Sequence, residues 1–453
     1  MRSRLALSYR SLLSSNVWIR WLLVPAIFTS SFDIFLNVSI GFNFRFTQIC
    51  IIASMTLFVL TKRDLRFVVP VGFPYLLAWC FFIFLFIPNG YLLRSAGYAV
   101  WLLFNVLAII LFVQSVRTTE DFRRLYALYI YSFVAVSLFG IVQFVMPLLG
   151  LGGPLVEQWW VRGLIARPNG FSYEPSYFAT YLLIGWVITA YHLYNSPSYY
   201  PKPVSYLKLA HGVITLAILL STSRMGIVMI ALWYVQYPVK FVLSVLRNLR
   251  VKKTVLWICG GLLVALLMVT ALIAQIDFSV ILRLLEGTGL FGTSSHSTTS
   301  GRLPTFVETL EVFGKSPIIG YSLGGVASAL AEHRGVVVSN LAQLKSHEGV
   351  NVLAEALAAS GLIGIIPFVA YFVALYRRST QAMRSLNRSP LGNLMKALLL
   401  ALTFELLILQ LNQNILRPYL WIHIAMLSAA YQISKQRGRT EAVPRSRPVA
   451  AAA

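Results

Sequence analysis

The chain has 453 residues, of which 58% are hydrophobic and only 12% are charged. Soluble chains carry about 25% charged residues, so this composition excludes an ordinary water-soluble domain. The formal net charge is +23, but the basic residues gather between apolar runs, as membrane topology and anionic lipid headgroups require. We therefore expect membrane lipid, and no nucleic acid, as the partner of this charge.

Apolar runs of about 20 residues, the length that crosses a bilayer as a helix, recur along the whole chain. In lipid only helices and closed barrels satisfy the backbone, and these runs lack the alternation of barrel strands. The sequence predicts an all-α polytopic membrane protein with a transmembrane domain over 1–433. Twelve spans are expected, at residues 17–37, 45–60, 67–87, 92–116, 123–147, 175–195, 206–221, 225–243, 254–276, 349–376, 393–412 and 418–433.

The distribution of Lys and Arg predicts the orientation. With the N-terminus in the cytoplasm, 27 of the 38 basic residues fall on the cytoplasmic side, and every loop on that side is basic. Both termini are then cytoplasmic, with a disordered basic tail over 434–453. The long loops, at about 148–174 and 277–348, face outward.

The larger outer loop contains the sequence SGRLPTFVETLEVFGKSP, in which apolar residues follow helical spacing. This pattern predicts an amphipathic helix that lies on the membrane or caps a cavity. No D-x-D pair and no glycine-rich phosphate loop occurs in the chain. Their absence argues against a metal-bound nucleotide-sugar donor and against ATP-driven transport, so we expect neither a metal nor a cofactor.

Two polar segments mark the outer ends of spans. In ARPNGFSYEPSYF, Pro175 suits the first position of a helix, which places Glu174 at the start of the sixth span and Arg167 just before it. The alternative for this segment is a capped helix with an interfacial Arg. The segment STSRMG is the whole connection between spans seven and eight and places Arg224 at the positive end of a helix dipole. A phosphate would satisfy Arg224 and the free N–H groups of that turn, whereas the alternative is a charge that only positions the membrane edge.

The tenth span begins in SHEGVNVLAEALAASGLIG. At 100° per residue, one arc of this span carries a polar, titratable strip formed by His347, Glu348, Asn351 and Glu355. The alternative is an amphipathic lead-in whose polar side meets water. Arg417 precedes the last span and Arg302 begins the loop helix, both positions where a snorkelling Arg is ordinary. Asp33 and Glu405 also fall within spans, with no role that the sequence assigns.

Aromatic side chains suited to sugars lie near these polar segments in the sequence, although each also fits an interfacial belt. They are Trp159, Trp160, Tyr173, Tyr177 and Tyr321.

From about residue 120 to 430, the order of these elements resembles the O-antigen polymerase and ligase superfamily of bacterial envelope glycosyltransferases. The matching stretches are RPNGFSYEPSYFATYLL, LLSTSRMGIVMIAL, SGRLPTFVETLEVFGKSPIIGYSLGG, the segment from His347 to Gly364, and LRPYLW. The resemblance implies a GT-C-like fold in the bacterial inner membrane and a metal-independent glycosyl transfer on its outer side. The donor would be a glycan on undecaprenyl pyrophosphate, with the flippase and chain-length regulator of the pathway as partners.

Ligases of this group carry His followed by Asn, Ser or Gln, with Gly eleven positions after the His. Counting back from Gly361 gives Val350, and the nearby His347 is followed by Glu348, so the ligase pattern is broken and the EPSYFA segment favours a polymerase. For such a transfer the acceptor hydroxyl needs alignment and a base, and the candidates are Glu174 and His347, with Glu348 third. The expected substrate-binding set is Arg167, Arg224, Arg302, Asn351, Arg417 and Tyr177. Within it, Arg224 with Arg167 or Arg417 would stabilise the leaving pyrophosphate.

Two alternatives remain beside the polymerase. One is a ligase that transfers the lipid-linked glycan to a final acceptor. The other is a polysaccharide or small-solute transporter, which would place its charges near the bilayer midplane and often show internal repeats.

Overall fold

The computed structural model describes residues 15–40, 42–61, 67–195, 200, 202–247, 302–338, 343–386, 389–411 and 415–442. Within these ranges the protein is mostly helical, as the sequence predicts. Its thirteen α-helices are α1 (Ser15–Phe28), α2 (Phe46–Thr61), α3 (Phe73–Leu85), α4 (Leu92–Ser115), α5 (Thr119–Leu148), α6 (Pro175–Asn195), α7 (Val204–Leu220), α8 (Arg224–Arg247), α9 (Arg302–Lys315), α10 (Ser322–His333), α11 (Val352–Ser385), α12 (Pro390–Ile408) and α13 (Pro418–Ala442).

Two antiparallel β-hairpins interrupt the helices, and the predicted all-α class did not include them. One pairs β1 (Asn37–Ile40) with β2 (Phe42–Arg45), and the other pairs β3 (Gln158–Val161) with β4 (Ile165–Arg167). The first expected span, 17–37, is therefore too long. The helix α1 ends at Phe28 because the polar segment after it forms a turn, in which the Thr29 hydroxyl donates to the Pro25 carbonyl at 2.8 Å.

The helices α6 and α13 form the centre of the bundle. Residues 178–190 of α6 and 418–430 of α13 are all buried, and a helix that is apolar on every side belongs in a core. The helix α13 packs mainly against α4 and α12, while α6 packs against α7 and α12. Because α6 and α13 are central, the residues just before Pro175 and Pro418 lie among the ends of several other helices.

Four of the described helices, α4, α5, α11 and α12, are long and apolar enough to cross a membrane, and α2, α3 and α7 are shorter apolar helices. This agrees with a membrane protein, while the number of twelve crossings stays a prediction. The expected span at 254–276 and the first part of the large loop lie outside the described residues. The last helix continues to Ala442, so residues 434–442, expected in a disordered tail, are helical.

The amphipathic helix predicted in the large loop is α9, but it does not turn its most apolar face towards the protein. Thr305, Thr309 and Val312 are buried, while Leu303, Val307 and Leu310 are exposed. The exposed apolar stripe favours contact with lipid, because such a stripe is otherwise left in water. The sequence predicts that this helix lies on the membrane or caps a cavity, and the exposed stripe favours the position on the membrane.

The helix α11 is broken at Gly361, where the backbone has φ 61° and ψ −172°. The segment from Pro317 to Tyr321 fills the break: the Pro317 carbonyl accepts from the Leu362 N–H at 2.9 Å, and the Tyr321 N–H donates to the Ala358 carbonyl at 3.0 Å. A side chain at 361 would collide with the Ile318 carbonyl oxygen, so only glycine fits this left-handed position. The break ties the outer loop to α11.

Candidate functional site

Both β-hairpins lie at the same end of the bundle, which we call the hairpin face. It comprises the two hairpins, the turn 221–223 between α7 and α8, the loop helices α9 and α10, the segment 343–351, and the first turns of α4, α6, α8, α11 and α13. Backbone hydrogen bonds connect it, for example from Asp33 N–H to the Phe171 carbonyl at 2.8 Å. Every site residue predicted from the sequence lies at this face.

Arg417 is deeply buried, rather than snorkelling as its place before Pro418 suggested. Its side chain is 4% exposed and forms an ion pair with Asp33, which also pairs with Arg45 at 3.1 Å. The Arg417 guanidinium carbon lies 3.9 Å from the ring centroid of Tyr177, a cation–π contact. Asp33 had no assigned role from the sequence. In the structure its carboxylate is shared by the buried guanidinium of Arg417 and the partly buried guanidinium of Arg45, and without it the buried charge would be strongly unfavourable.

Arg167, at the end of β4, points across to the turn between α7 and α8. Its Nε donates to the Thr222 hydroxyl at 3.1 Å, its Nη1 donates to Gln158 at 2.8 Å, and its guanidinium lies 5.3 Å from the Trp160 ring centroid. Thr222 has φ 51°, an unusual conformation for a β-branched residue. It aims the hydroxyl at Arg167 and also at the Trp160 ring N–H, 3.2 Å away.

Arg224 is the first residue of α8, as the sequence predicts, and its side chain is exposed. Among the described residues it forms no ion pair. It lies close enough to Arg167 for its charge to lower the pKa of that guanidinium, which burial already lowers, while Glu174 raises it. Two guanidiniums that repel each other beside a helix N-terminus are suited to an anion.

Glu174 precedes Pro175, the first residue of α6, again as predicted. Its backbone carbonyl accepts from the N–H groups of Tyr177 and Phe178, and its exposed carboxylate accepts from the Ser176 hydroxyl at 2.9 Å. The side chain therefore remains open to solvent at the positive end of a helix. A carboxylate in this position can accept a proton from an approaching hydroxyl group.

Arg302, the first residue of α9, lies near enough to Glu174 for the two charges to interact. Burial lowers the pKa of its guanidinium, and the nearby Glu174 and Tyr177 raise it. Its Nη1 is buried and has no hydrogen-bond partner among the described residues. Because a buried donor without a partner is costly, this atom marks a place where an acceptor from a ligand would be stabilised.

The expected polar strip on the tenth span is wrong, because α11 begins only at Val352. His347 ends a 3-10 helix (Gln343–His347), and Asn351 caps α11 by accepting from the Ala354 N–H at 2.9 Å while its amide donates to the Gln410 carbonyl. The four residues do not share a helical arc. Glu355 alone lies inside the helix, and it is buried.

His347 and Glu348 point to different partners. Arg334 donates to Nδ1 of His347 at 3.0 Å and pairs with Glu308 at 2.5 Å, so the ring proton lies on Nε2 and the imidazole is neutral. Burial and the Arg334 charge lower the pKa of His347, while Glu308 raises it. Glu348 accepts from Arg94 at 2.5 Å and from the Tyr98 hydroxyl at 2.6 Å.

Sequence reasoning missed Arg45, Arg94 and Arg334 as members of this face. Arg94 carried a usable signal, since an ionisable residue inside an apolar run is a functional candidate by default. Arg45 ends β2 and Arg334 follows α10, and at such ends no local pattern distinguishes a guanidinium with an acidic partner from a solvated one.

No protein-family model matches the chain, and no curated protein shows a significant match. Within the residues that the structure describes, no group of three or more His, Cys, Asp or Glu side chains is placed to hold a metal ion.

Proposed function

We propose that the chain is a membrane glycosyltransferase that polymerises repeat units carried on undecaprenyl pyrophosphate. It would act at the outer face of the bacterial cytoplasmic membrane, with twelve spans and both termini in the cytoplasm. The observation that carries the proposal is one exposed carboxylate, Glu174, whose charge acts on both Arg167 and Arg302, while the charge of the exposed Arg224 acts on Arg167.

In the proposed reaction a hydroxyl of the acceptor repeat attacks the anomeric carbon of the donor glycan. A new C–O glycosidic bond forms, the bond from that carbon to the diphosphate oxygen breaks, and the lipid diphosphate leaves with the bonding electron pair. Glu174 takes the hydroxyl proton. Arg224 and Arg302 stabilise the negative charge that develops on the leaving diphosphate, as fixed guanidiniums do most effectively.

The remaining predicted residues take supporting parts in this proposal. Arg167 is held by Thr222 and Gln158 and sets the electrostatic field at Glu174. Arg417, fixed by Asp33, supports the ring of Tyr177 from one side, leaving that residue as a candidate sugar contact. His347 and Glu348 are each engaged by an arginine, which favours Glu174 as the base.

A chromosomal deletion tests the reaction class. Loss of the gene should leave cells with single repeat units on the surface acceptor and no long polymer, because joining of repeats fails while later transfer continues. Long polymer that accumulates on the lipid carrier would instead identify a ligase. Lipid-linked repeats that remain accessible only from the cytoplasm would identify a transporter.

A catalytic-site variant separates activity from assembly. Glu174→Gln should abolish polymer while the protein reaches the membrane at wild-type abundance, because the side chain is exposed and fills no core position. Glu157→Gln, at another acidic residue of the same outer loop, is the matched control and should make normal polymer.

A further inference from the structure

Two adjoining cavities lie at the end of the bundle opposite the hairpin face, between α3, α11 and α13. Their volumes are about 350 Å³ and about 310 Å³, and Tyr75 and Arg378 line both. Arg377 lines the first cavity and Lys435 lines the second. The two cavities thus form one basic depression, which we call the basal groove.

The charge of the basal groove has one sign. Arg377, Arg378 and Lys435 are exposed, and none of them pairs with an acidic side chain among the described residues. No described residue that lines either cavity is acidic. Three cations that no described carboxylate compensates are complementary to an anionic ligand, and planar guanidiniums suit the oxygens of a phosphate.

An apolar stripe leads from the bundle surface to these cations. On α11 the exposed residues Leu362, Ile366, Val369 and Val373 follow each other at helical spacing, and Arg377 comes next on the same stripe. Exposed side chains of α3, among them Leu77 and Phe81, add apolar surface on the neighbouring helix. An acyl chain along this stripe would bring its headgroup to the basal groove.

We propose that the basal groove binds the headgroup of an anionic phospholipid. The phosphate would bridge the guanidiniums of Arg377 and Arg378 with Lys435, and an acyl chain would pack against the α11 stripe. In the proposed orientation this end of the bundle lies in the cytoplasmic leaflet, where anionic headgroups attract basic side chains. The site is separate from the hairpin face and does not depend on glycosyl transfer.

Binding can be measured with the purified full-length protein in detergent and a fluorescent phosphatidylglycerol, with phosphatidylcholine and inorganic phosphate as competitors. Arg378→Gln should weaken binding about fivefold, the effect of removing one basic side chain from an anionic headgroup. Lys435→Gln, on a different helix, should do the same and serves if the first variant assembles poorly. Arg384→Gln is the matched control, since Arg384 is exposed near the same end of α11 and lines neither cavity.

The proposal requires that Arg384→Gln bind like wild type and that phosphatidylcholine compete poorly. Equal weakening by Arg378→Gln and Arg384→Gln would show diffuse attraction and overturn the site. Equal competition by phosphatidylcholine would show that the net charge of the headgroup does not contribute to binding. Complete displacement by inorganic phosphate would show that no lipid is required. Either of these results would also overturn it.

Discussion

Replacing Arg302 by Met separates a role in ligand binding from a role in folding. The Nη1 atom of Arg302 is buried without a hydrogen-bond partner among the described residues, a situation that costs a folded protein about 1–3 kcal/mol. Met has a similar length and no polar atom to satisfy. We therefore expect the melting temperature of the purified variant to stay unchanged or to rise.

The same substitution should impair glycosyl transfer. A charge-assisted hydrogen bond to a phosphate is worth about 1.5–3 kcal/mol, which corresponds to a loss of roughly ten- to a hundredfold in rate. Arg302→Lys keeps the charge but not the planar fork, so its loss should be smaller. The rate is measured in membranes as polymer formed per unit of protein.

Lys315→Met provides the control, because Lys315 is an exposed cation at the other end of α9. It removes the same charge from the same helix and should change neither melting nor polymer. An Arg302→Met protein that melts lower and retains full activity would show that this guanidinium serves the fold, and the phosphate assignment would be refuted.

Four other predictions concern the hairpin face and the break in α11. Arg224→Ala should lower polymer formation roughly ten- to a hundredfold at normal membrane abundance, and full-length polymer would make this residue a mere edge charge. Asp33→Asn leaves the buried Arg417 and the partly buried Arg45 without their carboxylate and should cost about 3–5 kcal/mol, seen as loss of folded protein. Glu120→Gln, in an exposed helical pair, should cost at most about 0.5 kcal/mol. Because the pKa of His347 is lower in the folded protein than in the unfolded chain, the unfolded chain takes up the proton first as pH falls below about 6.5. The free energy of unfolding should therefore decline below that pH, and His347→Gln should flatten the decline seen in melting curves. Gly361→Ala should reduce membrane abundance, because the added methyl meets a backbone carbonyl at a left-handed position, and wild-type abundance would contradict the need for glycine.

Local signals in the sequence predicted those parts of the site that depend on a few consecutive residues. Pro175 fixed the start of α6 and hence the place of Glu174. The short segment STSRMG placed Arg224 at the start of α8, and the apolar spacing after Arg302 predicted α9. In each case the determinant, a proline, a tight turn or a helical period, lies within one or two helical turns.

Pairings between distant parts of the chain could not be predicted in this way. Asp33 meets Arg417 across 384 residues, and Arg94 meets Glu348 across 254. Such contacts depend on how the buried helices α6 and α13 bring loop ends together, which no local pattern encodes. They make Arg417, a substrate-binding candidate from the sequence, the partner of a buried carboxylate.

The start of α11 was predicted too early, although Asn351 is a local signal for it. Asn is a favoured N-cap, and Asn351 takes that role, so the helix cannot include His347 and Glu348. Treating the whole segment as helical placed four polar side chains on one arc that does not exist. The break at Gly361 was equally hidden, because a glycine inside an apolar helix is also compatible with an unbroken one.

The most direct test of the account is reconstitution of the purified protein with a synthetic undecaprenyl-diphosphate-linked repeat unit. Mass spectrometry would quantify the joined glycan and the released undecaprenyl diphosphate together. We predict one released carrier for each new linkage with the wild-type protein and neither product with the Arg224→Ala, Arg302→Met double variant. Linkage formation at the wild-type rate by that double variant, or none by the folded wild-type protein, would contradict a phosphate-binding transfer site at the hairpin face.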